Sequence, residues 1–237
     1  MLELIAYPAQ FGEPSASPFC VKAMCLLQMS GVDWRHKETP DPRKAPKAKL
    51  PVLKDGDTVI PDSEQIREHL EAHHGAEFDK GLDDAQRGAG RAVVRMMDEH
   101  LYFGIVCDRW MDDANWAIIK DAYFSQIPSL VRGVITPFIR RQALSQVRQQ
   151  GMGRHSKEER LTRCRHDVEA VAGLLGDKPF LFGETPTAPD ASAVAMLRAA
   201  AGTPVATPLS DLINGDARLT AYLDRGKAAL YPAMADA

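Results

Sequence analysis

Hydrophobic and polar positions follow two different periods in the first 80 residues. The segment LELIAY at positions 2–7 alternates and predicts a buried strand. The next apolar run, SPFCVKAMCLLQMSG, has helical spacing, with Ser17 as N-cap, Pro18 at the first helical position and Gly31 as the stop. A strand, a hairpin turning at Asp55-Gly56 or Gly56-Asp57, and a helix are then predicted in VDWRHKE, LPVLKDGDTVI and DSEQIREHLEAHHG.

Beyond residue 81 the strand patterns nearly vanish and helical spacing takes over. A long helix is predicted in DDAQRGAGRAVVRMMDEHLYFGIVCDRWM, and helical spacing continues beyond it, interrupted at Pro128 and Pro137. Two later helices begin with capping-box patterns, Ser156 with Glu159 and Thr187 with Asp190. The segment FDKGLDDAQ is the expected linker. The pattern therefore predicts an α/β domain over 1–78 and an all-helical domain over 84–237.

Composition and charge exclude several functional classes. The chain has 237 residues, of which 45% are hydrophobic and 26% charged, as in ordinary globular proteins. Its net charge of −3 argues against nucleic-acid binding. No apolar run is long enough for a membrane span, and no signal peptide is apparent. The seven histidines show no ligand spacing, so no metal is expected. Four scattered cysteines favour a reducing, cytoplasmic location: Cys20, Cys25, Cys107 and Cys164.

Three local motifs carry the candidate chemistry. They are SPFC between the first strand and the first helix, KLPVL with a proline at the start of a strand, and PDSEQI, where an acid and a serine open a helix. Each has an ordinary structural explanation, since Ser-Pro and Asp-Ser commonly cap helices and a proline is tolerated at a strand's first residue. Their order, followed by an all-helical region, is far more specific than any one of them.

With these motifs the chain resembles the glutathione S-transferase superfamily over nearly its whole length, including KPFLFGETPTAPDASAVAML near the end. The resemblance implies a thioredoxin-like N-terminal domain, an all-α C-terminal domain and a cis peptide bond before Pro51. The segments SPFC and QGMGRHSKEE are similar to the failed-axon-connections and metaxin-like branch. The family also implies a homodimer that binds glutathione and a hydrophobic electrophile.

The resemblance assigns glutathione's thiol to the turn that contains Ser17. A free thiol titrates near about 8.5, and lowering its pKa by about two units takes about 2.7 kcal/mol. A hydrogen bond to a charged group supplies roughly 1.5–3 kcal/mol, and a helix N-terminus roughly 0.3–1 kcal/mol. A hydrogen bond donated by the Ser17 hydroxyl at the N-terminus of this helix would therefore nearly suffice to lower the thiol pKa by that amount. Ser15 competes for this role because the loop FGEPSAS is longer than usual.

The resemblance assigns the rest of the tripeptide to the two later motifs. The backbone of Leu50, before Pro51, would pair with the cysteinyl residue in the manner of an added strand. Asp62 would meet the γ-glutamyl ammonium, while Ser63 and the helix N-terminus would hold its carboxylate. Lys47 and Lys49, in the basic run PRKAPKAK, would bind the glycyl carboxylate, although a solvated loop explains that run equally well.

Three functions are compatible with these residues. The first is a transferase that activates glutathione at Ser17 for attack on an apolar electrophile or a peroxide. The second is a non-catalytic binding module, and the third is glutathione-dependent thiol transfer through Cys20, which packing inward would make a poor nucleophile. The resemblance places the wall of the electrophile site in the helical domain, although core packing explains aromatic residues at helical spacing better. The residues in question are Trp110, Tyr123, Phe124, Phe138 and Arg140.

Overall fold

A computed structural model describes residues 1–231 of the chain. Its N-terminal part contains a four-stranded mixed sheet in the order β2-β1-β3-β4. The strands are β1 (Leu2–Ala6), β2 (Trp34–Glu38), β3 (Val52–Asp55) and β4 (Thr58–Pro61). β1 runs parallel to β2 and antiparallel to β3, and β3 and β4 form the predicted hairpin with Gly56 at a φ of 56°.

Two helices cover this sheet, and both end where the sequence predicts. They are α1 (Pro18–Ser30), which ends at Gly31, and α2 (Ser63–His74), which ends at Gly75. Both glycines adopt the left-handed conformation that L-residues with a side chain disfavour. The alternating residues Leu2, Leu4 and Ala6 of β1 are buried, which explains the period of two in that segment.

The rest of the described chain is helical. The helices are α3 (Asp84–Met96), α4 (Tyr102–Trp110), α5 (Asp113–Tyr123), α6 (Ser129–Gln150), α7 (Lys157–Leu175), α8 (Ala188–Ala201), α9 (Pro208–Asn214) and α10 (Ala217–Leu230). α8 lies at the centre, where it packs against α1, α3, α9 and α10. Gly226 of α10 allows close approach to α8, because an added Cβ would lie 2.4 Å from a methyl of Val194.

Both predicted capping boxes are present, and the second is anchored in the core. Ser156 and Glu159 exchange side-chain and backbone hydrogen bonds at the start of α7. At the start of α8, fully buried Asp190 accepts from the Thr187 backbone and hydroxyl, each at 2.8 Å. It also accepts from the Leu181 N–H and the Tyr222 hydroxyl, each at 2.9 Å. This carboxylate therefore joins α8 to α10.

The helical part departs from the sequence prediction in three places. The long predicted helix is α3 and α4 joined by a π-helical turn at Met97–Leu101. Pro137 lies inside α6 instead of ending it. The seven-residue helix α9 has a capping box of its own, Thr207 with Ser210, which the pattern did not disclose because the helix spans only two turns.

None of the helices within residues 1–231 is both long enough and apolar enough to cross a lipid bilayer.

Candidate functional site

One edge of the sheet brings the three sequence motifs together. In the sheet register Ile5 of β1 pairs with Val52 of β3, and Val52 pairs with Pro61 of β4. The end of β1, the start of β3 and the end of β4 therefore lie side by side. The loop that leads to Ser17 leaves β1 at this edge, Leu50 and Pro51 enter β3 there, and Asp62 and Ser63 follow β4 there.

Ser17 is the N-cap residue of α1, as the sequence predicts, but its side chain does not cap the helix. Its backbone is extended, and within residues 1–231 its hydroxyl accepts no hydrogen bond from the first turn. The residue is half-buried, and its hydroxyl interacts with the Cys20 sulfur. An anionic acceptor forms a stronger hydrogen bond than a neutral thiol. Ser17 thus offers a donor, not committed to capping, at a helix N-terminus.

Ser15, the competing serine, is committed to the loop. It is buried, its hydroxyl donates to the Tyr7 carbonyl at 2.9 Å, and its oxygen accepts from the Ser17 N–H at 3.4 Å. These bonds fix the turn that presents Ser17. The geometry favours Ser17 over Ser15 as the residue that meets a ligand.

Cys20 points into the core between α1 and the sheet. Its side chain has no exposed surface, and burial raises the pKa of its thiol to about 11. The Tyr7 backbone and the Ser15 and Ser17 hydroxyls act in the opposite direction without offsetting burial. A thiol with such a pKa is almost entirely protonated at neutral pH, and the thiolate is the reactive form.

The carbonyl of Ala16, directly before Ser17, is held by two side chains of the helical domain. Arg109 of α4 donates to it at 3.3 Å, and the Tyr123 hydroxyl of α5 lies 3.4 Å from it. Arg109 is buried and also donates to the Ala199 carbonyl of α8 at 2.9 Å. Sequence analysis missed Arg109, since its partners are about 90 residues distant in the chain.

A second attachment fixes the middle of the same loop. Glu13 is buried and accepts from Arg198 of α8 at 2.9 Å and from the Tyr231 hydroxyl. Phe11 and Gly12 adopt positive φ angles of 54° and 76° in the turn just before Glu13. The loop from β1 to α1 therefore takes its shape from the helical domain as well as from the sheet.

The peptide bond between Leu50 and Pro51 is cis, which confirms that prediction. The Pro51 carbonyl accepts from the Asp62 N–H at 3.2 Å, so the second and third motifs are directly bonded. Among the backbone hydrogen bonds made outside helices and strands within residues 1–231, none uses the N–H or the carbonyl of Leu50. Both groups are therefore available to an extended peptide, as a strand-like glutathione site requires.

Asp62 adopts a backbone conformation that is costly for its residue type. Its φ is 80°, its side chain is exposed, and its carboxylate accepts from the Glu64 N–H at 2.9 Å as the N-cap of α2. Strained backbone of this kind is frequently associated with binding sites. Ser63, next in the chain, is buried at the first position of α2. An acid and a hydroxyl at a helix N-terminus suit the ammonium and carboxylate of an amino acid.

A buried charged cluster lies under the first turn of α2. Lys22 of α1 has no exposed surface, and its Nζ donates to Glu64 at 2.7 Å and to Asp98 of the π-helical turn at 2.6 Å. Burial raises the pKa of Asp98 despite the opposing charge of Lys22. Burial opposes the ionisation of Glu64 too, but Lys22, Arg67 and Arg91 together outweigh burial and hold the pKa of Glu64 below its usual value. The cluster joins α1, α2 and the π-helical turn beside Asp62.

The lysines expected at the glycyl carboxylate are exposed on the loop before Leu50. Lys47 reaches the first turn of α2, because the Gln65 amide, oriented to satisfy both of its ends, accepts from Lys47 Nζ at 3.3 Å. Lys49 adjoins Leu50 in the chain. Both lysines therefore lie beside the edge of the sheet at which the three motifs meet.

Aromatic side chains surround the Ser17 turn from both domains. Tyr7, at the end of β1, is half-buried, and burial followed by the nearby Cys20 raises the pKa of its hydroxyl above the ordinary value. Burial also raises the pKa of Tyr102 in α4 to about 12, and its ring packs edge-on against Phe19 at 4.7 Å. Both phenols keep their protons at neutral pH and act as neutral donors. Sequence analysis did not single out Tyr7, because the predicted strand at positions 2–7 included it, whereas β1 ends at Ala6.

The structure separates the five residues expected around an electrophile. Tyr123 contacts the Ser17 loop through the Ala16 carbonyl, and its ring also packs against Phe11 and Trp110. Arg140 instead donates to the Trp110 and Met111 carbonyls and lies over Trp116, which Phe124 also contacts. Phe138 is 69% exposed on α6. Tyr123 thus lies at the Ser17 loop, whereas Trp110, Phe124 and Arg140 take part in the packing of α4, α5 and α6.

Family comparison matches both parts of the chain. Residues 18–115 match the glutathione S-transferase N-terminal domain, and residues 164–226 match the glutathione S-transferase C-terminal domain. The chain is 33% identical over 239 residues to the isoprene-epoxide–glutathione S-transferase of Rhodococcus sp. strain AD45, covering 95% of this chain and 97% of that protein. It is 27% identical over 206 residues to Failed axon connections of Drosophila melanogaster, covering 81% of this chain and 49% of that protein.

Solved structures share the fold at low sequence identity. The β-etherase LigF of Sphingobium sp. strain SYK-6 superposes with a TM-score of 0.67 at 18% identity, covering 96% of this chain and 95% of that one. Glutathione transferase GSTFuA3 of Phanerochaete chrysosporium gives a TM-score of 0.63 at 16% identity, covering 98% of each chain. These likenesses establish the mixed sheet followed by a helical domain as a shared architecture.

Proposed function

The chain belongs to the glutathione S-transferase family of enzymes, and we propose that it uses the Ser17 hydroxyl to activate glutathione for attack on a small apolar electrophile. The observation that carries the proposal is the shared sheet edge. Ser17, the open backbone of Leu50 and the Asp62–Ser63 pair meet there in the order in which a tripeptide would need a thiol donor, a strand edge and an amino-acid clamp.

Each part of glutathione has a matching group at this edge. The γ-glutamyl ammonium meets Asp62, and its carboxylate meets Ser63 at the N-terminus of α2. The cysteinyl backbone pairs with Leu50 before Pro51. Lys47 or Lys49 meets the glycyl carboxylate. The thiol then falls at the N-terminus of α1, where Ser17 donates to the thiolate.

An epoxide is the first electrophile to test, because the Rhodococcus relative is named for isoprene epoxide. The thiolate forms a C–S bond to one ring carbon, the C–O bond to that carbon breaks, and the freed oxygen takes a proton. Tyr7 and Tyr102, which burial keeps protonated, are two of the phenols near this turn that can hydrogen-bond to that oxygen. The aromatic side chains at this turn suit an apolar substituent.

Substitution of Ser17 tests the central step. Because its side chain does not cap α1, Ser17→Ala should change the free energy of unfolding by less than about 0.5 kcal/mol, whereas a capping serine would cost about 1 kcal/mol. The pKa of bound glutathione should rise by about one unit or more, since one unit corresponds to about 1.36 kcal/mol. The measurement is the pH dependence of kcat/KM together with ultraviolet titration of the bound thiolate.

Two matched variants separate the candidate donors. Ser15→Ala should lower stability, because a buried hydrogen bond to Tyr7 is lost, and leave the thiol pKa unchanged. Tyr7→Phe should affect the rate with an epoxide more than the pKa of bound glutathione. An unchanged thiol pKa in Ser17→Ala, with a raised pKa in either other variant, would transfer the donor role to that residue.

Glutathione binding is tested by calorimetry with Asp62→Asn. Asparagine keeps the N-cap of α2 but loses the charge, so binding should weaken by roughly 1.5–3 kcal/mol with little change in stability. The wild-type protein giving no heat at millimolar glutathione would refute the transferase assignment and favour a non-catalytic module.

We also propose a homodimer in a reducing, cytoplasmic compartment. The four cysteines support the compartment, because within residues 1–231 all are free and buried. Family membership supports the dimer. Light scattering should give twice the 26.1 kDa chain mass, and a value near 26.1 kDa would contradict it.

A further inference from the structure

Three potential metal-binding side chains converge at the far end of α2. Asp55, the last residue of β3, points its Oδ2 at two histidines of the last turns of α2. His69 Nε2 lies 2.9 Å from that oxygen, and His74 Nε2 lies 2.8 Å from it. The three ligand atoms all lie within 4.8 Å of one another.

This geometry is close to that of a metal site. With bonds of about 2.0–2.1 Å, two ligands of a tetrahedral zinc ion are about 3.3 Å apart. The ion would fit once the two nitrogen-to-oxygen distances open by a few tenths of an ångström and the two histidine nitrogens, which lie within 4.8 Å of each other, also stand about 3.3 Å apart. The side chains of His69 and His74 are 11% and 24% exposed and that of Asp55 is 33% exposed, so the site is walled by protein and still open to a solvent ligand.

We propose that Asp55, His69 and His74 bind one divalent transition-metal ion of the zinc type. Two imidazole nitrogens and one carboxylate oxygen form a ligand set that such ions prefer over Mg²⁺ or Ca²⁺, which take oxygen ligands. Water completes the coordination. Each imidazole would bind the ion through Nε2, with its proton on Nδ1.

The site is remote from the glutathione site. Ser63 and His74 are the two ends of α2, which at 1.5 Å per residue places them about 17 Å apart. The ion would bridge the end of β3 to the end of α2 and so join the hairpin to the helix that covers it. Its expected effect is on the stability of the N-terminal domain, and glutathione affinity should not change.

Residue spacing alone did not disclose this site. His69 and His74 are five positions apart, which is outside the usual i, i+4 helical pair, and Asp55 precedes them by 14 and 19 residues. The fold supplies the missing proximity by packing the last turns of α2 over the hairpin.

The test is calorimetric titration of the chelator-treated full-length protein with Zn²⁺ in a buffer that does not bind metal, with glutathione absent because its thiol would compete. One equivalent should bind. His69→Gln, His74→Gln and Asp55→Asn should each weaken binding about tenfold or more. His166→Gln is the matched control, since His166 is exposed on α7 outside the cluster, and it should bind as the wild type does.

Two further measurements keep the test decisive if a variant folds poorly. The melting temperature of the wild-type protein should rise with Zn²⁺ concentration, because an ion that binds only the folded state stabilises it. Co²⁺ should give the visible absorption bands of a low-symmetry nitrogen and oxygen site. Absence of Zn²⁺ binding to the wild type, or equal binding by the wild type and a folded His69→Gln protein, overturns the proposal. Glutathione calorimetry on His69→Gln should match the wild type, which separates this outcome from failure of the transferase assignment.

Discussion

Replacing Lys22 by methionine should destabilise the fold strongly, because Lys22 is the partner of two carboxylates. Its side chain is 1% exposed, and those of Glu64 and Asp98 are 15% and 9% exposed. Methionine fills a similar volume, so Lys22→Met removes charge with little loss of packing. Removing one member of a buried ion pair typically costs about 3–5 kcal/mol, because the remaining charge is left without a partner. Here that charge is Asp98, since Glu64 keeps Arg91 at 3.1 Å.

The pH dependence identifies the cause of that loss. In the wild type, burial already raises the pKa of Asp98, and Lys22 opposes the rise. Without Lys22 the pKa rises further. A carboxyl whose pKa is higher in the folded state disfavours folding at every pH above its unfolded value, and the penalty disappears as pH falls below that value. Glu64, whose pKa is lowered, adds stability above its unfolded pKa that is also lost in acid.

Both effects predict that the stability difference between the wild type and Lys22→Met is largest near pH 7 and shrinks toward pH 4. Urea denaturation at several pH values measures it. Lys80→Met is the control, since this lysine side chain is 74% exposed and its loss should change stability by less than about 0.5 kcal/mol. Adding Asp98→Asn to Lys22→Met should recover part of the loss. A difference under about 1 kcal/mol at pH 7, or one that does not vary with pH, would refute the reasoning.

Two other substitutions follow from buried groups described above. Asp190→Ala should lower the free energy of unfolding by at least about 3 kcal/mol in urea denaturation, because four donors lose their acceptor, and a smaller loss would show that water replaces the carboxylate. Cys20→Ala should keep most of the transferase rate in a glutathione conjugation assay, because a fully buried thiol with a pKa near 11 supplies little thiolate; loss of turnover in a folded variant would revive thiol transfer through Cys20.

Sequence predicted most of the fold because its signals are local. The N-cap position of α1, its glycine stop, the hairpin at Gly56 and the box of Thr187 with Asp190 each depend on residues within a few positions of one another. The predicted domain limits, 1–78 and 84–237, stay a prediction.

The missed features depend on distant partners. Lys22 lies between apolar residues in FCVKAMC, and its two acids are 42 and 76 positions away, so nothing local indicates that it is buried. Arg109 meets Ala16 and Ala199 across similar distances. The candidate site could be outlined from the motifs. The hydrogen bonds that hold the Ser17 loop could not, because they depend on how the helical domain packs.

The π-helical turn at Met97–Leu101 limits how the helix from α3 to α4 can change length. Such a turn holds one residue more than regular α-helix, and its wider ring lets that residue enter without breaking the helix. Deleting one residue here would restore a regular helix and rotate α3 relative to α4 by about 100°, one residue's share of a 3.6-residue turn. Asp98 would then leave Lys22, or Arg109 would leave Ala16, since Asp98 lies at the start of the turn and Arg109 lies beyond it in α4. Insertions and deletions in the loops of the protein would be tolerated far more readily than the loss of this one residue from the helix.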